Sequence, residues 1–187
     1  MATFNSTISG TGDQLLPSGK SSLFGTAANQ LVLGNDDPQL MGSKFDNSCV
    51  YGAAGDDTIS GVAPVASLSG VGVGTTYVGN TGSDSFDFST YALTSVAVQA
   101  GADGDTVVLK GSATASSFKT GQGADSVHID GVLLNSTVET GADADVFQSR
   151  SDVTGSRFAL GSGNDTVAIS GTVTATLIEG KSDADSL

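Results

Sequence analysis

The stretch Leu160–Ser170, L-G-S-G-N-D-T-V-A-I-S, decides the reading of this chain. It is a glycine-rich turn closed by Asp165, followed by an alternating strand in which Val167 and Ile169 share one face. Versions of it recur in both directions. The closing aspartates are Asp105, Asp125, Asp145, Asp165 and Asp185, twenty residues apart each time. Further back the same position holds Asp84, Asp57 and Asp36, at spacings of 21, 27 and 21. A fixed period of this length is the signature of stacked repeats, each burying its apolar face on its neighbour.

Number one coil from one to twenty with this aspartate in slot six. Slot eight then holds Val107, Val127, Phe147, Val167 and Leu187, and slot ten holds Leu109, Ile129, Ser149 and Ile169. These two alternate as in a half-buried strand. Slot fourteen (Ala113, Leu133, Val153, Val173) and slot nineteen (Phe118, Val138, Phe158, Ile178) mark a second and a third short strand. Slot twelve is often glycine (Gly111, Gly131, Gly171) and slot sixteen is small or polar, which suits bends. Glycine and β-branched residues are too dense for helix. An antiparallel sandwich would not need near-identical residues in register at every turn. The expected fold is all-β, a parallel β-solenoid of about 20-residue coils with one Gly-Asp turn per coil. Residues 1–30 read as an N-terminal cap or degenerate coil, and 31–187 as the solenoid. Within it an irregular insertion falls around 60–78, and regular coils run over 100–187.

Composition narrows the chemistry. The chain has 26 Gly, no Trp and a net charge of −13. Of its 20 acidic residues all are Asp except Glu139 and Glu179. Short carboxylates suit turns and calcium loops, where backbone supplies the remaining oxygens. The acidity argues against nucleic acid and anionic membrane, which need a basic patch. No run is long enough to span a membrane. Cys49 is alone and reads as a small buried residue.

In a solenoid the slot-six carboxylates stack about 5 Å apart, a repulsive column unless cations sit between the turns. Calcium accepts six to eight oxygens at flexible geometry and fits this better than magnesium. Slot four reads Gly55, Gly82, Asp103, Gly123, Asp143, Gly163, Asp183, so some turns gain a second carboxylate on the same edge. The candidate metal ligands are therefore Asp36, Asp57, Asp84, Asp103, Asp105, Asp125, Asp143, Asp145, Asp165, Asp183 and Asp185. Catalysis finds no foothold. His128 is the only histidine and falls in slot nine, facing away from the core. The glycine-rich turns lack the lysine of a phosphate loop. Carboxylates in equivalent slots are unlike the unequal pair of an active site.

The turns G-S-G-N-D-T-V (161–167), G-A-A-G-D-D-T-I (52–59) and T-G-Q-G-A-D-S-V (120–127) resemble the Gly-Gly-x-Gly-x-Asp repeat of RTX calcium-binding proteins. With one such turn per coil, the chain is similar to the RTX solenoids of bacterial adhesins, some of which bind ice. The resemblance implies bound calcium, type I secretion without a signal peptide and an extracellular or cell-surface role. The Thr and Asn columns that would carry ice binding are mixed here: Ala102, Gln122, Ala142, Ser162 in one, Gly104, Ala124, Ala144, Asn164 in the other. The expected role is a non-enzymatic surface-layer, fibre or filament component. A virion structural protein and an adhesin or glycan-binding module recognising a host surface are the alternatives. The sequence stops mid-coil at Asp185-Ser186-Leu187, and an uncovered strand edge invites strand addition. Self-association, head to tail or lateral, is therefore expected, the head-to-tail form stacking subunits through the N-terminal segment around Ile8 and Asp13.

Overall fold

The computed structural model describes residues 14–15, 22–25, 31–33, 40–43, 49–60, 71–88 and 92–187. They form a parallel β-solenoid of about five coils of about 20 residues, with no helix among the described residues. Each regular coil visits three sheets in turn. In one coil, Ala97–Ala102 lies in the first sheet, Thr106–Leu109 in the second and Ala113–Thr114 in the third. The next strand, Ser117–Gln122, then lies on Ala97–Ala102, with Val98 paired to Phe118. Every pairing is parallel, and in the regular block each residue meets its counterpart twenty residues on. The period in the sequence is thus the period of the ladder.

The core is the set of inward slots. Val107, Val127, Phe147 and Val167 come from the second sheet, and Phe118, Val138 and Phe158 from the first. Ala113, Leu133 and Val153 close the third side. Volume is balanced within a coil. Where slot eight is Phe147 instead of Val, slot ten is Ser149 instead of Leu or Ile, and the Ser149 hydroxyl is satisfied by donating to the Ser151 carbonyl (3.1 Å). Phe147 meets Phe158 edge to face across the core at 4.6 Å between centroids.

Bends fall where the sequence expects them. Ser95, Ala115, Asn135, Gly155 and Ala175, all in slot sixteen, take positive φ of 48–61°. The residue after them forms a ladder that composition alone hides. Ser136 Oγ accepts the Ser116 N–H (3.1 Å) and donates to the Leu134 carbonyl (2.9 Å). Ser116, Ser156 and Thr176 repeat the arrangement. Both glutamates stand in slot twenty on the outer face of the first sheet. Lys119 pairs with Glu139 (2.8 Å), and Arg157 bridges Glu139 and Glu179 across three coils.

Of the expected insertion, residues 61–70 lie outside the described residues. Val71–Val73 is a strand of the third sheet, paired with Ala92–Thr94. The short strands Gln14–Leu15 and Ser22–Gly25 pair with Leu31–Leu33 and Leu40–Ser43.

Candidate metal-binding edge

The chain passes from the first sheet to the second through a turn with two left-handed residues. Slot two takes φ of 101–129° at Gly101, Gly121, Gly141 and Gly161, and slot four takes 78–121° at Asp103, Gly123, Asp143 and Gly163. Ala53, Asn80 and Lys181 hold this slot at φ of 71–87°, but at the wider angles of the regular block the space admits only glycine. A Cβ on Gly121 would lie 2.0 Å from the Gly101 carbonyl oxygen of the coil below. This reversal carries the chain around so that slot six points inward.

Asp57, Asp84, Asp105, Asp125, Asp145 and Asp165 are accordingly buried, each 1–2% exposed. Their geometry repeats from coil to coil. The Asp125 N–H donates to Asp145 Oδ1 (2.8 Å), and that of Asp145 to Asp165 Oδ1 (2.9 Å). The same bond joins Asp57 to Asp84, Asp84 to Asp105, Asp105 to Asp125 and Asp165 to Asp185. One oxygen of each carboxylate thus caps the coil beneath it. The other, Oδ2, is buried and accepts no hydrogen bond at Asp84, Asp105, Asp125, Asp145 and Asp165. Leaving a buried charged oxygen without a partner is costly.

Ionisation reflects that cost. Burial is the largest cause at every site. It lifts the pKa of Asp84 to about 6, of Asp145 to about 7 and of Asp105 to about 8, against the opposing pull of the capped N–H. Asp84 and Asp125 push Asp105 further up by like charge. Asp125 and Asp165 are raised as well. The Thr120 and Thr140 hydroxyls stand beside Asp125 and Asp145 and hold them down in part. Their protons are directed at the Thr140 and Leu160 carbonyls (2.9 and 2.6 Å).

The eleven residues singled out by the sequence therefore divide. Asp36 lies outside the described residues, as does the Cys49 side chain. Asp57 to Asp165 in slot six form the inner column, and Asp185, half-buried, continues it. Asp103, Asp143 and Asp183 belong to the same turns but are exposed, forming an outer column. Each accepts the N–H of a slot-four glycine below it: Gly82, Gly123 and Gly163, at 3.0–3.2 Å. Sequence spacing placed both columns on one edge and could not divide inside from outside. His128 is half-buried on the second sheet, hydrogen-bonded to Asp130 (2.8 Å), which also takes Arg150 (3.1 Å).

Among the described residues no three His, Cys, Asp or Glu side chains converge as a metal centre. The donor set nevertheless fits a hard cation. Buried carboxylate oxygens without hydrogen bonds line one edge, and slot-one carbonyls lie close by. The position of a Gly79 Cβ, for example, is 2.0 Å from Asp84 Oδ2 and 2.5 Å from the Ala100 carbonyl oxygen. Side chains would supply a minority of the ligands, with backbone carbonyls and water completing the shell.

No protein-family model matches this chain, and no curated protein matches it. Among solved structures it is similar to a hyperactive, Ca2+-dependent, beta-helical antifreeze protein from an Antarctic bacterium. The two are 16% identical with a TM-score of 0.56, and the match covers 99% of this chain and 64% of that one. At this identity the likeness is one of fold: this chain is built as a β-helix.

Proposed function

We propose that this protein is a non-enzymatic structural solenoid whose turn edge is held together by calcium, serving outside the cell as a surface-layer, fibre or filament component. The observation that carries the reading is the column of buried Oδ2 atoms. The hydroxyl ladder at slot seventeen caps backbone in the same way and leaves no group unsatisfied. Aspartate adds a second oxygen, left without a hydrogen bond at Asp84, Asp105, Asp125, Asp145 and Asp165, that a bound cation would satisfy. Calcium, when bound, supplies the positive charge and oxygen coordination that the column lacks. The calcium dependence of the β-helical neighbour points the same way. Equivalent residues in equivalent slots, repeated along one edge, suit a scaffold better than a reaction centre.

The test is circular dichroism with thermal melting during a calcium titration, with magnesium and EGTA as controls. Calcium should raise the melting temperature by ten degrees or more, which excess EGTA reverses. Identical β signal and melting in both would reject the reading. Light scattering with and without calcium reads the assembly state.

A further inference from the structure

Slot four alternates: Gly82, Asp103, Gly123, Asp143, Gly163, Asp183. The packing accounts for the glycines of this series, as it does for Gly82 over Gly55 (2.3 Å). Gly123 and Gly163 adopt φ of 109° and 121°, and a Cβ on them would lie 2.3 and 2.1 Å from the Asp103 and Asp143 carbonyl oxygens. In the regular block a slot-four aspartate carries glycine above it wherever another coil follows. It also stands on glycine, whose N–H its Oδ2 accepts. From Gly82 onward, steps between coils come in two kinds, Asp over Gly and Gly over Asp; Gly82 itself stands over Gly55.

The two kinds differ in charge. At an Asp-over-Gly step the outer carboxylate comes near the inner carboxylate of the coil below. Asp103, Asp143 and Asp183 accept the N–H groups of Gly82, Gly123 and Gly163, each two residues before the inner Asp84, Asp125 and Asp165. Asp84, Asp125 and Asp165 each hold a buried Oδ2 without a hydrogen bond at these steps, as Asp105 and Asp145 do at the others, so the outer carboxylate is what sets the steps apart. Calcium affinity in oxygen sites rises with the number of ligand charges.

We propose that the calcium sites of this edge alternate between two affinities, the tighter class lying at the steps Asp84/Asp103, Asp125/Asp143 and Asp165/Asp183. The inference rests on the calcium reading above and adds to it a rule for which sites fill first. The solenoid would then pass through a half-loaded state in which alternate steps are clamped.

The experiment is a titration of the decalcified chain with calcium by isothermal calorimetry, repeated with terbium luminescence. The wild type should show two phases, with about three tight ions per chain for the three steps named. The triple variant Asp103→Asn, Asp143→Asn, Asp183→Asn keeps an acceptor for each glycine N–H and tolerates the left-handed backbone. It should lose the tight phase, by on the order of tenfold in affinity, with the weak phase unchanged. A single phase in the wild type that the triple variant leaves intact overturns the alternation while calcium stabilisation stands. No binding by the wild type overturns both. Should the triple variant misfold, Asp143→Gly recreates the glycine-over-glycine step that Gly82 already makes over Gly55. It should remove about one tight ion; an unchanged tight phase would count against the alternation.

Discussion

At the scale of the residue, the contrast between slots six and seventeen is the most informative feature. Both side chains accept the backbone N–H of the coil below, so both are part of the ladder. Ser136 returns its proton to a carbonyl and is complete; Asp125 keeps an oxygen in reserve. Two substitutions separate the roles. Asp125→Ala strands the buried Asp105 N–H and should cost about 1–3 kcal/mol with or without calcium. Asp125→Asn retains a carbonyl oxygen for that N–H and removes the charge. It should raise the melting temperature of the metal-free protein at pH 8 and shrink the gain on adding calcium. Equal losses for both variants in EGTA would show that the charge is immaterial. The raised pKa values also set a direction with pH. In the fold Asp84, Asp145 and Asp105 hold protons up to about pH 6, 7 and 8, whereas the unfolded chain releases them near its ordinary value of 3.8. Between those values the native state binds more protons, so stability falls as pH rises. Melting in EGTA should move down from pH 5 to pH 9, and saturating calcium should flatten that slope. A metal-free melt that rises over this range would contradict the burial of these groups.

At the scale of the element, most of the coil was legible in the sequence. Slots eight and ten, fourteen, and nineteen fell on three separate strands, because inward apolar residues must recur in register when coils stack. The small slot-sixteen residues fell on left-handed bends for the same reason. Two things were not legible. The serine ladder looked like polar bend filler, since a hydroxyl that caps a neighbouring coil is indistinguishable by composition from one facing water. Its repetition at Ser116, Ser136, Ser156 and Thr176 was the available signal. The division of the aspartates was hidden too, because slots four and six both carry Asp in a glycine-rich turn. Only the backbone reversal at slots two and four decides which points inward. That reversal is exacting. Gly121→Ala places a methyl against the Gly101 carbonyl at φ of 114° and should destabilise by about 3 kcal/mol or more, in calcium as well as EGTA. A melting temperature within a degree or two of wild type would mean the turn can relax.

At the scale of the whole molecule, each coil touches its neighbours and little else, so stability is close to a sum over coils and their interfaces. Whole coils should therefore be removable, subject to the alternation at slot four. Deleting residues 121–160, two coils of twenty, joins Thr120 to Gly161 and sets Gly163 above Asp103, as Gly123 was. Deleting 121–140 joins Thr120 to Gly141 but sets Asp143 above Asp103, where a Cβ meets the carbonyl below. In saturating calcium the longer deletion should melt higher than the shorter one. The reverse order would show that slot four imposes no two-coil unit. The parallel ladder itself has a mechanical consequence. Its strands run across the stack, so a tether pulling the two ends apart loads one coil's seams at a time. Each coil that peels away frees twenty residues, about 70 Å of extended polypeptide. A single molecule stretched this way should give a sawtooth of even steps, with cation-clamped seams setting the height of the teeth.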